Sequence, residues 1–136
     1  MPISNGFEVR VGCDVQSIDD IRAAIEAHGE RYLRRVLGEQ ERVEASELVT
    51  IEQIARYTSG RFAAKEAVYK ALRGHPDVAL GWPQIEILAD DSGAPRVHVR
   101  GAAAELCAAN SIADIAVSIS HAPPFAFAVA TAVATA

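Results

Sequence analysis

The segment at residues 50–72 reads TIEQIARYTSGRFAAKEAVYKAL and carries the longest helical pattern in the chain. Its apolar residues recur at the three- and four-residue spacing of an amphipathic helix, which predicts one helix along the segment. The pattern begins at Thr50, and the Gly-His-Pro sequence at 74–76 ends it. Gly60 weakens the middle and indicates a bend or a tight contact. The predicted inward stripe consists of Ile51, Ile54, Ala55, Phe62, Ala63, Val68 and Leu72.

Before this helix, the pattern predicts one strand and three shorter helices. Apolar residues alternate through residues 7–15, as they do in a strand. Gly12 interrupts that strand, where a glycine often marks the close approach of a backbone or a ligand. Ser17 and Asp20 resemble a capping box at the start of the first helix. One face of the strand carries Phe7, Val9, Val11 and Cys13, and the helices are predicted at residues 18–28, 30–37 and 39–45.

After the long helix, the pattern predicts two hairpins separated by a helix. Strands at residues 84–89 and 95–99 flank an Asp-Asp-Ser-Gly turn, and an Ala-rich helix follows at 101–110. Two more strands are predicted at 115–120 and 125–133, the second buried. Grouped hairpins indicate an α+β fold with a small, largely antiparallel sheet packed on helices. We expect one domain over residues 1–136, with residues 1–8 as an N-terminal extension.

Composition excludes some classes of protein. The 136 residues carry a net charge of −5, which argues against general nucleic-acid binding. No apolar run approaches the roughly 20 residues that cross a bilayer. Residues 1–10 lack the basic and apolar regions of a signal peptide, so we expect a cytoplasmic protein. The two cysteines, Cys13 and Cys107, lack the spacing of a metal site.

Acidic residues in two distant segments are candidate metal ligands. Glu66 and Lys70 lie four residues apart, so they share one face of the long helix, either as an ordinary surface pair or as part of a site. Asp14, at the end of the first strand, either caps the next turn or binds a metal. Mg²⁺ often takes one or two carboxylates together with substrate phosphates and water. Asp14 and Glu66 supply that pair if the strand end meets the helix.

A histidine near the end of the chain is a further candidate. His121 closes the Ser-Ile-Ser-His sequence at 118–121, where a strand turns. It either bonds to backbone within the turn or contacts a phosphate or hydroxyl of a ligand. A Ser/His/Asp hydrolase is a competing hypothesis, but the sequence has no GxSxG elbow. It also has no P-loop, which argues against ATP chemistry of the Walker kind.

Three motifs, taken in order, resemble the holo-acyl-carrier-protein synthase family of 4′-phosphopantetheinyl transferases. That family has Gly-x-Asp near the start, a Gly-Arg-Phe/Trp-x-x-Lys-Glu-Ala-x-x-Lys helix and a Ser-x-Ser-His turn near the end. Here the motifs occupy residues 12–14, 60–70 and 118–121, and the resemblance extends over residues 9–133. The ordered set, more than any single motif, carries the resemblance.

The resemblance implies an activity and an assembly. The family transfers 4′-phosphopantetheine from coenzyme A to a serine of an apo acyl carrier protein, with Mg²⁺, and releases adenosine 3′,5′-bisphosphate. It forms homotrimers with active sites between subunits. Two alternatives remain for this chain: a non-catalytic trimeric module that binds coenzyme A or a carrier protein, and a coenzyme A thioester hydrolase that needs no Mg²⁺.

The resemblance also implies roles for individual residues. Asp14 and Glu66 bind Mg²⁺, and Glu66 and Lys70 are catalytic. Either Glu66 or a metal-bound water accepts the serine proton. Lys70 faces the diphosphate of coenzyme A, whereas Arg61 and His121 lie near its 3′-phosphate. The complete set of implied coenzyme A contacts is Arg61, Lys65, Lys70 and His121.

The chain departs from the family pattern at and after the first motif. Ser17 replaces a usual glutamate, and Gln16 lies where larger relatives place a third metal carboxylate, so its amide oxygen is a candidate ligand. The family usually has a basic residue near the position of Asp20, which helps to hold the acidic carrier protein, whereas Asp19 and Asp20 would repel that partner. We therefore expect a specialised carrier, of a polyketide or another secondary pathway. The arginines expected to compensate are Arg22, Arg31, Arg34 and Arg35.

Overall fold

The secondary structure follows the predicted order, except that a short strand at Pro2–Ile3 was not predicted and the two C-terminal strands are longer than expected. The computed structural model describes residues 2–3, 6–74 and 80–135, so the predicted end of the long helix at 75–76 and the start of the following loop lie outside it. The strands are β1 (Pro2–Ile3), β2 (Phe7–Ser17), β3 (Ile85–Ala89), β4 (Pro95–Val99), β5 (Ile112–Ala122) and β6 (Phe125–Thr135). The helices are α1 (Ile18–His28), α2 (Glu30–Val36), α3 (Glu39–Ala45), α4 (Ile51–Ala71) and α5 (Gly101–Ala109), with a 3₁₀ turn at Trp82–Gln84.

Four strands form one antiparallel sheet in the order β1-β2-β6-β5, and β3 and β4 form a separate antiparallel hairpin. The predicted α+β fold with a small antiparallel sheet is confirmed. Residues 7 and 8, expected in the extension, pair with β6 as part of β2. Strand β5 begins before its predicted start. The prediction missed residues 112–114 because an irregularity between Ile112 and Asp114 breaks the alternation on which it rested.

Helices α1, α2 and α3 pack against the N-terminal half of α4. Ile21 and Ile25 of α1 form a buried cluster with Ala55 of α4, as the helical spacing predicted. Ser17 caps α1, because its Oγ accepts a hydrogen bond from the Asp20 backbone N–H at 3.2 Å. Across residues 2–3, 6–74 and 80–135, no helix has the length and apolar character needed to cross a membrane. The cytoplasmic location stays a prediction.

Helix α4 lies across the sheet, against β2 and β6. Small residues let the helix backbone come close to the strands. At Gly12, a Cβ atom would lie 2.1 Å from the Ala67 carbonyl oxygen and 2.8 Å from the Ala71 nitrogen. The predicted close approach of a backbone at Gly12 is therefore confirmed. The face of β6 that packs in this layer carries Ala126, Ala128, Ala130, Ala132 and Ala134, all buried.

Replacing Gly12 with alanine is expected to lower the free energy of unfolding by about 3 kcal/mol, because β2 and α4 must separate to admit the methyl group. Urea denaturation measures the loss. Gly81→Ala is the matched control, since a Cβ atom there would lie 3.8 Å from its nearest neighbour, Pro83 Cδ. Similar losses in the two variants would contradict the close-approach argument.

The face of the sheet that points away from α4 is apolar and exposed. The sequence predicts a buried strand at the C-terminal end, and the structure corrects this, because β6 is buried on its alanine face only. Val129 of β6 is 43% exposed and Val11 of β2 is 67% exposed. A contiguous exposed apolar face is a mark of an interaction surface. Its large exposed members are Phe7, Val9, Val11, Val15, Phe125, Phe127 and Val129.

Candidate active site

Two carboxylates meet where β2 passes beneath α4. Asp14 follows Gly12 by two residues, so strand alternation points both toward the helix. Glu66 immediately precedes Ala67, whose carbonyl oxygen marks the close approach at Gly12. Asp14 lies close enough to Glu66 that its charge and hydrogen bonding both raise the pKa of the Glu66 carboxyl group. The sequence left open whether the end of the strand contacts the long helix, and in the structure it does.

The electrostatics of this pair favour a bound cation. Burial raises the pKa of Glu66, the neighbouring charge of Asp14 raises it further, and the charge of Lys70 opposes both effects. The Asp14 side chain is only 11% exposed. Two carboxyl groups held together in a partly desolvated position repel each other when both are ionised, and a cation between them relieves that repulsion.

Lys70 completes the cluster on the same surface. Its Nζ lies 3.3 Å from Asp14 Oδ1 and donates a hydrogen bond to the Cys13 carbonyl oxygen at 2.9 Å. The sequence left open whether Glu66 and Lys70 form an ordinary surface pair, and Lys70 instead reaches across to the strand. Gln16 Nε2 donates to Asp14 Oδ2 at 2.8 Å. In this arrangement the Gln16 nitrogen, and not the oxygen expected as a candidate ligand, faces Asp14.

The donor set at this cluster fits Mg²⁺. Carboxylate oxygens are hard ligands, which Mg²⁺ prefers. Within the part of the chain that the structure describes, no group of three or more His, Cys, Asp or Glu side chains surrounds a common point. The chain would therefore supply Asp14 and Glu66 as ligands, and water and substrate phosphates would supply the others, as they often do for Mg²⁺.

A second cluster lies on another face of α4. Arg61 precedes Glu66 by five residues, which corresponds to a rotation of about 140° around the helix axis. His121 packs against the neighbouring Gly60, where a Cβ atom would be 2.7 Å from His121 Nε2, and the charge of Arg61 acts on the imidazole. The predicted tight contact at Gly60 is therefore confirmed. The structure brings Asp14, Glu66 and Lys70 together and places Arg61 and His121 apart from them.

His121 bonds to backbone, as one of its two interpretations expected. Its Nε2 lies 3.0 Å from the Arg56 carbonyl oxygen. Burial lowers the pKa of His121, the hydrogen bond to Arg56 raises it, and the charges of Arg56 and Arg61 lower it further. The imidazole is thus close to two guanidinium groups, which makes this region attractive to an anion.

Lys65 does not reach the surface. Its side chain is fully buried, and Nζ contacts Glu41 Oε1 at 2.5 Å, the Trp82 carbonyl oxygen at 3.2 Å and the Ile85 carbonyl oxygen. Burial lowers the pKa of Lys65, and the Glu41 carboxylate opposes that effect. The geometry does not support the predicted contact between Lys65 and coenzyme A, because all three donors of the ammonium are used within the core.

Three residues near the second cluster were missed by the sequence analysis: Glu41, Glu44 and Tyr57. Glu41 Oε1 accepts a hydrogen bond from the Gly38 N–H at 2.8 Å, and this three-residue spacing is a helix-start signal that the sequence contains. Tyr57 lies four residues before Arg61, so its ring was predictable as a neighbour. Glu44 had no such signal, since its partners come from distant segments.

The sequence and the fold are similar to those of known proteins. The 4′-phosphopantetheinyl transferase superfamily model matches residues 10–130. A curated holo-[acyl-carrier-protein] synthase from Edwardsiella ictaluri is 38% identical over 80% of this chain and 84% of its own. The crystal structure of a holo-ACP-synthase from Plasmodium yoelii has a TM-score of 0.84 and 29% identity, over 96% of this chain and 99% of that chain. An ACPS–CoA complex from Chronobacterium ammoniagenes has a TM-score of 0.77 and 28% identity, over 95% of this chain and 98% of that chain.

These similarities extend over most of the chain, and the range matched by the family model spans the positions of both clusters. The chain belongs to the 4′-phosphopantetheinyl transferase superfamily, in its holo-[acyl-carrier-protein] synthase family. It is accordingly an enzyme of the transferase class. The sequence-based predictions of the family and of an enzyme are confirmed.

Proposed function

We propose that this enzyme transfers 4′-phosphopantetheine from coenzyme A to a serine of an apo acyl carrier protein, with Mg²⁺, and releases adenosine 3′,5′-bisphosphate. The observation that carries the proposal is the convergence of Asp14, Glu66 and Lys70 on one surface. The donor is supported by the coenzyme A complex of the Chronobacterium relative. The acceptor is supported by the name of the Edwardsiella relative.

The reaction places specific demands on these residues. The serine oxygen forms a bond to the phosphorus that carries pantetheine, and the bond from that phosphorus to the bisphosphate oxygen breaks. Phosphoryl transfer depends mainly on positioning and on stabilising charge. The Lys70 ammonium would stabilise the negative charge that develops on the leaving bisphosphate. Its contacts with Asp14 and the Cys13 carbonyl oxygen hold it at the carboxylate pair.

Asp14 and Glu66 would hold the metal ion, which when bound would neutralise charge on the donor diphosphate. The hydrogen bond from Gln16 restrains Asp14 at this position. The serine proton must leave as the new bond forms. Glu66 or a water molecule would accept it, and the two remain alternatives.

Mass spectrometry of an apo carrier protein tests the proposal directly. Incubation with this enzyme, coenzyme A and Mg²⁺ should add the mass of one phosphopantetheine to the carrier. EDTA should abolish the gain, and added Mg²⁺ should restore it. A coenzyme A thioester hydrolase would instead remain active in EDTA, and a non-catalytic module would leave the carrier unchanged. No contact in the described residues specifically favours either alternative.

We also propose that three copies assemble through the apolar sheet face of β2 and β6. The face presents large aliphatic and aromatic side chains to solvent, including Val11 and Phe127. Burial of such a surface is favourable by roughly 25 cal/mol per Å². The proposal also accounts for the two clusters on different faces of α4, because one subunit can supply the carboxylates and its neighbour the arginine of the same site.

Val11→Glu is expected to convert the trimer into monomers, since assembly would bury the new carboxylate in an apolar contact. Size-exclusion chromatography with light scattering measures the mass. The unmodified protein should show three times 14.5 kDa, and the variant one times that mass. Val49→Glu is the control, because Val49 is 87% exposed and lies outside the sheet. A monomeric unmodified protein would contradict the assembly.

The charges of α1 and α2 support the proposal of a specialised carrier. Asp19 and Asp20 are exposed at the start of α1. Arg22, expected to compensate for them, pairs with Glu26 and Glu52, each at 2.8 Å. An acidic carrier therefore meets repulsion at the start of α1. The exposed arginines that remain are Arg31, Arg34 and Arg35 on α2.

We expect transfer to a fatty-acid carrier to be slower than transfer to specialised carriers. Replacing both Asp19 and Asp20 with asparagine should raise the rate with the fatty-acid carrier by roughly 2- to 10-fold, because two repulsive surface charges disappear. Transfer assays with a panel of apo carriers measure this. Asp91→Asn is the control, since Asp91 is exposed in the β3–β4 turn. Fastest transfer by the unmodified enzyme to the fatty-acid carrier would count against the proposal.

A further inference from the structure

Arg61 is held by residues from three elements. Its Nε donates to the Ile87 carbonyl oxygen at 3.1 Å, and its Nη2 lies 3.4 Å from Glu44 Oε1. The ring of Tyr57 covers one face of the guanidinium, with 4.4 Å between Cζ and the ring centroid. Helix α3, helix α4 and strand β3 therefore meet at this side chain, which is only 14% exposed.

Glu44 is itself restrained, unlike most surface carboxylates. Its Oε1 accepts a hydrogen bond from the Tyr57 hydroxyl at 2.6 Å, and its Oε2 accepts one from the Ala89 N–H at 3.0 Å. Both oxygens are thus occupied by groups other than water. An exposed ion pair contributes little because its two side chains move freely. Here neither side chain is free to move.

The contacts leave one part of Arg61 available. Of the five N–H donors of a guanidinium, Nε and Nη2 are engaged. Among residues 2–3, 6–74 and 80–135, Nη1 has no hydrogen-bond partner. A planar group that is fixed on one face and along one edge presents its remaining donors in one direction. Such a preorganised guanidinium suits a phosphate, which binds arginine through paired N–H donors.

We propose that Glu44 is a positioning residue that fixes Arg61 for binding a phosphate monoester of the donor. The inference rests on the proposed function for the identity of the donor. In the proposed function, the donor diphosphate binds at the carboxylate pair, whereas Arg61 lies on a different face of the same helix. The remaining phosphate of coenzyme A is the 3′-phosphate. Glu44 thereby sets the preference of the enzyme for a donor that carries this group.

Calorimetric binding of two nucleotides tests the inference without any transfer step. Adenosine 3′,5′-bisphosphate carries the 3′-phosphate, and adenosine 5′-monophosphate lacks it. Glu44→Ala should weaken binding of the bisphosphate by about 10-fold, because hydrogen bonds to charged groups contribute about that much. Binding of the monophosphate should stay unchanged. Glu47→Ala, an exposed carboxylate beyond the end of α3, is the matched control.

Two further variants separate positioning from a purely structural role. Tyr57→Phe keeps the ring over Arg61 and removes the hydroxyl that holds Glu44, so it should weaken bisphosphate binding by a smaller factor. In an Arg61→Met background, Glu44→Ala should have no further effect, because positioning acts only through Arg61. An equal loss for both nucleotides, or a Glu44→Ala effect that persists without Arg61, would overturn the inference.

A failure of the Glu44 inference can be distinguished from a failure of the proposed transferase activity. Bisphosphate binding that depends on Glu44, in a protein that never modifies a carrier, would leave the inference standing and remove the transferase proposal. If the enzyme modifies a carrier but Glu44→Ala leaves bisphosphate binding unchanged, the transferase proposal stands and the Glu44 inference is overturned.

Discussion

Replacing either Asp14 or Glu66 with alanine is expected to lower kcat/KM for carrier modification by roughly 10²- to 10⁴-fold, since several kcal/mol of charge stabilisation depend on the bound metal. In the proposed function, each carboxylate would supply half of the protein ligands of one metal site. The double variant should therefore be no slower than the slower single variant, because residues that act as a unit are not additive. Mass spectrometry with initial-rate sampling measures the effect.

The same variants should fold normally. Burial and the charge of Asp14 disfavour ionised Glu66, so its removal costs the fold little. Circular dichroism and urea denaturation should show an unchanged fold and a similar free energy of unfolding. Glu105→Ala, on the exposed face of α5, is the matched carboxylate control and should keep full activity. Activity that survives both carboxylate changes would refute the metal assignment.

Replacing Lys65 with methionine is expected to lower the free energy of unfolding by about 3 to 5 kcal/mol, because Glu41 would remain buried without its cationic partner. Both side chains are fully buried. The Glu41 carboxylate also accepts hydrogen bonds from the Gly38 and Ile87 N–H groups, so it cannot turn outward without losing them. Urea denaturation measures the loss.

Two comparisons make the Lys65 result specific. Adding Glu41→Gln to Lys65→Met should recover part of the loss, since the charge is removed and one acceptor oxygen is kept. Arg22→Met breaks the exposed pairs with Glu26 and Glu52 and should cost at most about 1 kcal/mol. A Lys65→Met enzyme that stays stable but binds coenzyme A weakly would restore the role implied by the family resemblance.

Local signals predicted most of the elements and several of their ends. Helix α1 begins after Ser17 because that hydroxyl caps the first turn, and the β3–β4 hairpin turns where Asp90 Oδ1 accepts hydrogen bonds from the Ser92 and Ala94 N–H groups. These interactions involve residues close in sequence, so spacing alone reveals them. The start of β5 was missed because an irregular register has no period to detect.

The face of a strand or helix that is covered was not predictable in the same way. Alternation grouped Phe7, Val9 and Val11 on one side of β2, but it cannot say which side meets the helix. In the structure that side is exposed, and the side with Gly12 and Asp14 lies against α4. Similarly, Lys65 and Glu66 are adjacent in sequence, yet Lys65 is buried in the core and Glu66 lies beside Asp14.

The sequence by itself determined the order of the main elements, the family and the carboxylates that are candidate metal ligands, because periodicity, capping and motif order depend on residues close together along the chain. Only the tertiary structure decided that Asp14 and Glu66 meet, that Lys65 is buried with Glu41, and that Glu44 holds Arg61. The physical reason is that these contacts join segments far apart along the chain. Their formation depends on how closely helix and strand backbones pack, which the absence of a side chain at Gly12 permits.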